Sequence, residues 1–223
     1  MAHLEHPEKR QEHGKHENIS YASTYFPSTS DEDRLYLCAS HSSPMKQNLS
    51  SFGVFDGHGG VYASSTLSTN LHVDIIDRFN SLQKSNAFSE FQSTNENVEA
   101  CFCEAIWQSF QNADLKIKEH SNAGSTAVSI FIIPRNDGSI RVICPWVGDS
   151  RCVLYQLTSN NKMLSTIMSQ DHKPNLKREI ERVENRLPAR WRSLPMEVNH
   201  KSFKSDEQTY DIPSMNEEKV RIV

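Results

Sequence analysis

One short stretch, residues 52–60, constrains the fold and the function of this chain more than any other. It begins with the apolar run Phe-Gly-Val-Phe, which predicts a buried strand. Asp56 follows at once, and then come Gly57, His58 and two more glycines, a composition typical of a tight turn. A carboxylate at the junction of a rigid strand and an open loop suits metal binding or catalysis. A plain turn would use the same residues, so the choice depends on which residues join Asp56.

Composition and charge exclude several classes of protein. The net charge of -4 and the pI of about 6.2 do not favour nucleic acid or an anionic membrane as the partner. No apolar run approaches the roughly 18 residues of a membrane span. The first ten residues lack the apolar core of a signal peptide, and the five cysteines are scattered. We therefore expect a monomeric cytoplasmic or nuclear protein without a disulfide framework.

The first half of the chain predicts strands followed by two long helices. Residues 1–19 are polar and are expected to be a disordered tail. Apolar residues recur every three or four positions in the two helical segments, which predicts that they pack side by side on a sheet. The strand before the polar loop 40–50 should pair with the strand after it. The predicted elements are strands at 19–26, 34–39 and 51–56, and helices at 61–83 and 96–120.

The second half predicts an antiparallel meander of short strands with turns at Asp137-Gly138, Gly148-Asp149 and residues 159–162. The predicted elements are strands at 124–133, 140–147, 152–157 and 163–168, a short helix at 175–185, a polar loop or insert at 187–219 and a weak strand at 219–223. Strands, a helix pair and further strands in this order predict an α+β layered domain rather than alternating βαβ units.

Further carboxylates lie at predicted strand ends. Asp149 follows the strand that ends at Val147, and it repeats the strand-to-turn arrangement of Asp56. Glu32 and Asp33 directly precede the strand expected to pair with that of Asp56. Carboxylates collected at neighbouring strand ends repel each other unless a cation is present. Hard divalent ions such as Mg²⁺ or Mn²⁺ prefer these oxygen ligands.

Five segments in sequence resemble the metal-dependent Ser/Thr protein phosphatases, type 2C (PPM). Residues 52–60 are similar to the family signature. Residues 30–34 (Ser-Asp-Glu-Asp-Arg) resemble its first acidic motif, and residues 124–127 (Gly-Ser-Thr-Ala) resemble a strand start. Residues 147–151 and 170–174 resemble its Gly-Asp-Ser-Arg turn and its Asp-His-Lys-Pro motif. The resemblance covers roughly residues 20–186, and it implies a layered antiparallel β-sandwich flanked by pairs of long helices.

The resemblance also implies residue roles and ligands. Asp56 would bridge two metal ions, with the Gly57 carbonyl on one of them. Glu32 and Asp33 match the acidic pair, and Asp149 matches a carboxylate for an additional ion. His58 would be the general acid that protonates the leaving oxygen. Mg²⁺ or Mn²⁺ would be the cofactor, two or more ions, and phosphorylated proteins would be the substrates.

Two departures from the family pattern leave alternatives open. Ser28 stands where the family has a phosphate-binding arginine, so the phosphate-binding residue is not identified. The chain has no Asp-Gly after residue 138 and no Asp-Asn pair, whereas the family has further metal aspartates in such motifs. We therefore expect a domain that is incomplete at its C-terminus. The alternatives are an active phosphatase, an inactive family member that binds phosphoproteins or partners, and a truncated chain that does not fold stably.

Overall fold

The computed structural model describes residues 10–16, 19–25, 30–41, 49–84, 95–135, 138–186 and 221–222. The chain divides into two compact units, Met1–Ser150 and Arg151–Val223. The elements of the first unit are β1 Arg10–His16, β2 Ile19–Tyr25, β3 Arg34–His41, β4 Leu49–Phe55, β5 Gly57–His58, α1 Tyr62–Lys84, α2 Asn95–His120, β6 Gly124–Ser125, β7 Ala127–Pro134, β8 Ile140–Ile143 and β9 Trp146–Val147.

The main sheet of the first unit has the strand order β3-β4-β7-β8, and β9 also pairs with β7. Every pairing is antiparallel, and β3 lies directly beside β4, as the sequence predicts. The short strand β5 follows β4 after one residue, and it pairs with β6 in a separate two-stranded sheet. The antiparallel sheets and the helix pair confirm the α+β class.

The helices α1 and α2 pack against each other because both have an apolar stripe at helical spacing. The ring of Phe79 on α1 meets Phe102 on α2 with centroids 5.1 Å apart, and Phe102 meets Phe131 on β7 at 5.2 Å. All three rings are fully buried. These contacts confirm that the two long helices lie side by side on the sheet. Among the described residues, no helix is both long and apolar enough to span a membrane.

The strand that leads to the site is buried on one face only. Phe55 has no exposed surface, whereas Val54 is 51% exposed. Successive side chains of a strand point to opposite faces of the sheet, so only alternate residues reach the core under the helices. The expectation of a wholly buried run at residues 52–55 is therefore wrong for Val54.

Two predicted strands are each divided in the structure. The segment 124–133 splits at Thr126 into β6 and β7, which belong to different sheets. The segment 140–147 splits at Cys144 and Pro145 into β8 and β9. Proline has no N–H to donate to a ladder, and the Pro145 carbonyl instead accepts a hydrogen bond from the Ser129 N–H at 3.0 Å.

The expected disordered tail 1–19 contains a strand. Residues 10–16 form β1, which pairs along its whole length with β2, and Gly14 lies opposite Tyr21. A β-carbon added to Gly14 would lie 2.4 Å from the Tyr21 hydroxyl oxygen. Backbone pairing requires no apolar side chains, so the polar composition concealed this strand. Residues 1–9 lie outside the described part.

The second unit contains β10 Val153–Leu157, β11 Met163–Ile167, α3 Lys177–Arg186 and β12 Arg221–Ile222. Its sheet has the order β11-β10-β12. The meander prediction holds for the β10–β11 hairpin but is wrong between β9 and β10, which belong to different sheets. β12 lies within the weakly predicted strand at 219–223, and the predicted insert at 187–219 lies outside the described residues.

Candidate metal and catalytic site

Asp56 is held by its backbone at the end of β4. The Thr126 N–H donates to the Asp56 carbonyl at 2.8 Å, and the Asp56 N–H donates to Thr126 Oγ1 at 3.0 Å. This reciprocal pair of bonds fixes the peptide groups on both sides of the Asp56 α-carbon. The carboxylate is therefore carried on a rigid part of the backbone, which is what a ligand or catalytic group requires.

The same threonine connects Asp56 to the turn that carries Asp149. Thr126 Oγ1 lies 2.6 Å from the Ser150 hydroxyl oxygen. Gly148 has a φ of 96°, and a β-carbon added to it would lie 2.6 Å from Thr126 Cγ2. Both the left-handed backbone and the close approach require glycine there. Thr126 thus contacts both carboxylate-bearing turns, a role that sequence reasoning missed.

The electrostatics of Asp56 indicate which predicted site residues come together. The pKa of Asp56 is raised, first by partial burial, then by the charge of Asp33 and a hydrogen bond with its carboxyl group, and then by the charge of Asp149. The charge of His58 acts in the opposite direction. Asp33, Asp56, Asp149 and His58 therefore form one electrostatic cluster.

The acidic turn that carries Asp33 is closed by its own arginine. Arg34 Nη1 donates to the Asp31 carbonyl at 2.8 Å and to the Asp33 carbonyl at 2.6 Å. Asp31 adopts a left-handed backbone conformation with a φ of 46°, which the turn requires and which aspartate tolerates better than most residues. Arg34 thus stabilises the turn through backbone contacts. Ser28, at the position of the family arginine, lies outside the described residues.

Glu32 joins the acidic turn to the start of α1. Its Oε1 accepts a hydrogen bond from the Gly60 N–H at 2.6 Å, and its carbonyl accepts the Ser64 hydroxyl. A β-carbon added to the buried Gly57 would lie 2.4 Å from the same Glu32 carbonyl oxygen. The structure therefore assigns Glu32 a contact that the sequence did not predict, because both of its partners lie far along the chain.

His58 lies in β5, directly opposite Gly124 of β6. Its side chain is exposed, so a substrate could reach it from solvent. The neighbouring Gly59 and Gly60 have φ values of 70° and 122°, and the chain turns there before α1 begins. His58 is thus presented on a short paired strand next to Asp56.

The donor chemistry of the cluster fits a hard divalent cation in part. Asp33, Asp56 and Asp149 provide carboxylate oxygens whose mutual repulsion a cation would relieve. Across the ranges that the structure describes, however, no group of three or more His, Cys, Asp or Glu side chains is arranged to hold a metal ion. The described residues therefore supply part of such a site without completing it.

In the second unit, Asp171 is a structural residue. Its carboxylate accepts two hydrogen bonds from Arg151, at 2.9 and 2.7 Å, and Lys173 Nζ lies 3.1 Å away. The hydrogen bond from Arg151 is the largest cause that lowers the pKa of Asp171 to about 2, and Lys173 adds to it. Asp171 is therefore an ion-paired residue that ties the start of β10 to the 170–174 segment.

The first unit is of the α+β class, and its site contains three carboxylates and a histidine. The chain belongs to the protein phosphatase 2C family, because the family model "Protein phosphatase 2C" matches residues 26–188. It is similar to human "Protein phosphatase 1B", with 33% identity over 148 residues, which is 62% of this chain and 28% of that protein. It is 29% identical to "Probable protein phosphatase 2C 1" of Arabidopsis thaliana over 162 residues, covering 63% of this chain and 34% of that protein. The chain spans about a third of the length of these curated relatives.

Two solved structures are also similar. A serine-threonine phosphatase 2C from Toxoplasma gondii has a TM-score of 0.45 and 18% identity, covering 69% of this chain and 54% of that chain. A C. elegans sex determining protein has a TM-score of 0.46 and 21% identity, covering 80% of this chain and 38% of the other.

Proposed function

We propose that this chain carries part of the active site of a metal-dependent protein serine/threonine phosphatase. The observation that carries the proposal is the cluster around Asp56, in which the charges of Asp33, Asp149 and His58 all act on the pKa of the Asp56 carboxyl group. Membership of the protein phosphatase 2C family supports it. The reaction would be hydrolysis of phosphoserine and phosphothreonine in protein substrates.

In this proposal Asp56, Asp33 and Asp149 would contribute ligands to two or more Mg²⁺ or Mn²⁺ ions. The Gly57 carbonyl would be a further donor. A divalent cation supplies charge neutralisation and an acidified water for attack on phosphorus. The bonds from Thr126 keep Asp56 in place, and Arg34 keeps the Asp33 turn closed. The Glu32 side chain, which contacts Gly60, acts as a support for this arrangement.

His58 is proposed as the general acid. A seryl or threonyl alkoxide is a poor leaving group, so its oxygen requires a proton as the P–O bond breaks. The imidazole is exposed, and its charge acts on the Asp56 carboxylate. In this role the imidazole would donate its proton to the leaving oxygen.

The second candidate is a family member that binds phosphoproteins without hydrolysing them. The observation that favours it is that the described residues contain no arrangement of three or more ligating side chains. Such a protein would keep the surface and the fold of the family and would not turn over substrate.

The experiment that separates the two is a phosphatase assay on a phosphoserine peptide with Mn²⁺, with and without chelator. Asp56→Ala is the test variant. Asp114→Ala is the matched control, because Asp114 is an exposed carboxylate on α2 whose partner is Lys118. Turnover that requires Mn²⁺ and is lost only in Asp56→Ala supports the enzyme. Absence of turnover in a cooperatively folded wild-type chain rejects it and favours the binding protein.

A further inference from the structure

The side chain of His58 rests on the backbone of Gly124. The two residues are direct partners in the β5–β6 pair. A β-carbon added to Gly124 would lie 2.2 Å from His58 Cε1, 2.5 Å from Nε2 and 3.1 Å from Nδ1. Real side chains do not approach this closely, so the imidazole occupies the space that any other residue at 124 would fill.

The backbone conformation gives no other reason for glycine at this position. Gly59, Gly60, Gly138 and Gly148 have positive φ values, whereas Gly124 does not. A residue with a side chain could therefore adopt the Gly124 backbone without strain. The three nearest atoms to a β-carbon at this position all belong to the His58 ring, which accounts for the requirement for glycine.

Nothing else in the described ranges orients the imidazole through a hydrogen bond from another side chain. His58 is nevertheless exposed to solvent. A histidine held only by its charged neighbours would sample several rotamers. The close contact with Gly124 limits the rotamers that are open to the ring.

We infer that Gly124 is a positioning residue, which sets the orientation of the His58 imidazole relative to the Asp56 cluster. This inference rests on the proposed function, in which His58 is the general acid. The absence of a side chain at 124 lets the ring lie against the backbone of β6. A methyl group at 124 would displace the ring while leaving the hydrogen bonds of Asp56 and Thr126 intact.

The leaving group of the substrate distinguishes this role from a general structural one. A phosphoserine peptide needs a proton on its leaving oxygen, whereas an aryl phosphate such as p-nitrophenyl phosphate releases a stable phenolate. We expect Gly124→Ala to lower kcat on the peptide by about 10²-fold, the lower end for loss of a general acid. The kcat on the aryl phosphate should change by less than about threefold, and His58→Ala should give the same pattern. An equal loss on both substrates would overturn the inference.

The double variant tests whether the effect of Gly124 acts through His58. In the His58→Ala background, Gly124→Ala should cause no further loss on the peptide, because the ring that it displaces is already absent. Additive losses would overturn the inference. If Gly124→Ala does not fold, the double variant should recover a cooperative melt, and failure of both to fold would assign Gly124 another role.

A measurement that does not depend on enzyme activity separates this inference from the proposed function. In the wild-type protein, NMR should detect a nuclear Overhauser contact between the His58 ring protons and the Gly124 α-protons. The His58 ring signals should shift in Gly124→Ala and stay unchanged in Gly138→Ala, since Gly138 has open space around it. A missing contact overturns the inference. An inactive wild-type protein that retains the contact rejects only the phosphatase function.

Discussion

Asp56 and Thr126 hold each other through two backbone-directed hydrogen bonds although they lie 70 residues apart in the chain. The Thr126 hydroxyl also contacts Ser150, the neighbour of Asp149. Replacing Thr126 by valine keeps the shape and removes the hydroxyl. The Asp56 N–H would then lose its acceptor, and we expect the free energy of unfolding to fall by about 1–3 kcal/mol. Urea denaturation measures this change.

Thr126→Ser is the matched control for that prediction, because it keeps the hydroxyl and removes only the methyl group. Thr126→Ser should retain most of the free energy of unfolding and most of the rise in Tm that Mn²⁺ causes. A valine variant as stable as the serine variant would contradict the role of the hydroxyl.

Replacing Gly57 by alanine should damage the site as well as the fold. The new methyl group would lie 2.4 Å from the Glu32 carbonyl oxygen and 2.8 Å from Ser64 Oγ, so the acidic turn must move away from α1. We expect a loss of about 1–3 kcal/mol in stability, together with loss of the Mn²⁺-induced rise in Tm. Gly138→Ala, which meets no neighbour but has a φ of 81°, should lower stability alone. A Gly57→Ala protein with an unchanged Mn²⁺ response would be inconsistent with this packing.

Replacing Asp56 by asparagine should raise Tm at neutral pH in the presence of a chelator. The raised pKa of Asp56, caused by burial and then by Asp33 and Asp149, means that its ionised form is disfavoured in the folded state. The stability linked to this group is present below its unfolded pKa and is lost as pH rises through the folded pKa. Removing the charge therefore relieves repulsion, whereas Mn²⁺ should stabilise the wild type more than the variant. Differential scanning calorimetry with and without Mn²⁺ measures both effects, and a lower Tm for the variant in chelator would refute the repulsion.

The ion pair of Asp171 should contribute to the stability of the folded protein, and this contribution should be lost in acid. The pKa of Asp171 is lowered from 3.8 to about 2 in the folded state, first by the hydrogen bond from Arg151. A lowered pKa gives stability that is present above the unfolded pKa and is lost as pH falls through the folded value. The Tm advantage of wild type over Asp171→Asn should therefore be full at neutral pH and vanish between about pH 4 and pH 2. Asp114→Asn, which removes an exposed carboxylate, serves as the control, and a constant advantage across this range would exclude the mechanism.

Local patterns in the sequence were sufficient for the helices and for the strand that ends at Asp56. The spacing of Leu67, Leu71, Ile75 and Phe79 follows the helical period, and all four are buried in α1. The polar strand β1 escaped prediction because its pairing uses backbone groups alone. The break at Pro145 was predictable from its missing N–H, and the apolar run around it concealed the signal.

The sequence was sufficient to predict which carboxylates belong to the site. It was not sufficient to predict the contacts that hold them in place. Asp56 and Asp149 were visible because each follows a strand at a glycine-rich turn. The contacts of Thr126 and Glu32 could not be predicted, because their partners are backbone groups brought near by the fold. The contact between His58 and Gly124 had one signal in the sequence, a glycine at a strand start, whose reason is visible only when the two short strands are paired.

The long separation between Asp56 and Thr126 has a consequence for the order of folding. Contacts between distant residues form only after a large loop has closed, so they develop slowly in comparison with helices. In this chain that loop contains both α1 and α2. The pair of helices can therefore gain structure before Asp56 and Thr126 form their two hydrogen bonds. In the proposed function, cation affinity would then be acquired last, and a partially folded chain would be helical without an assembled carboxylate cluster.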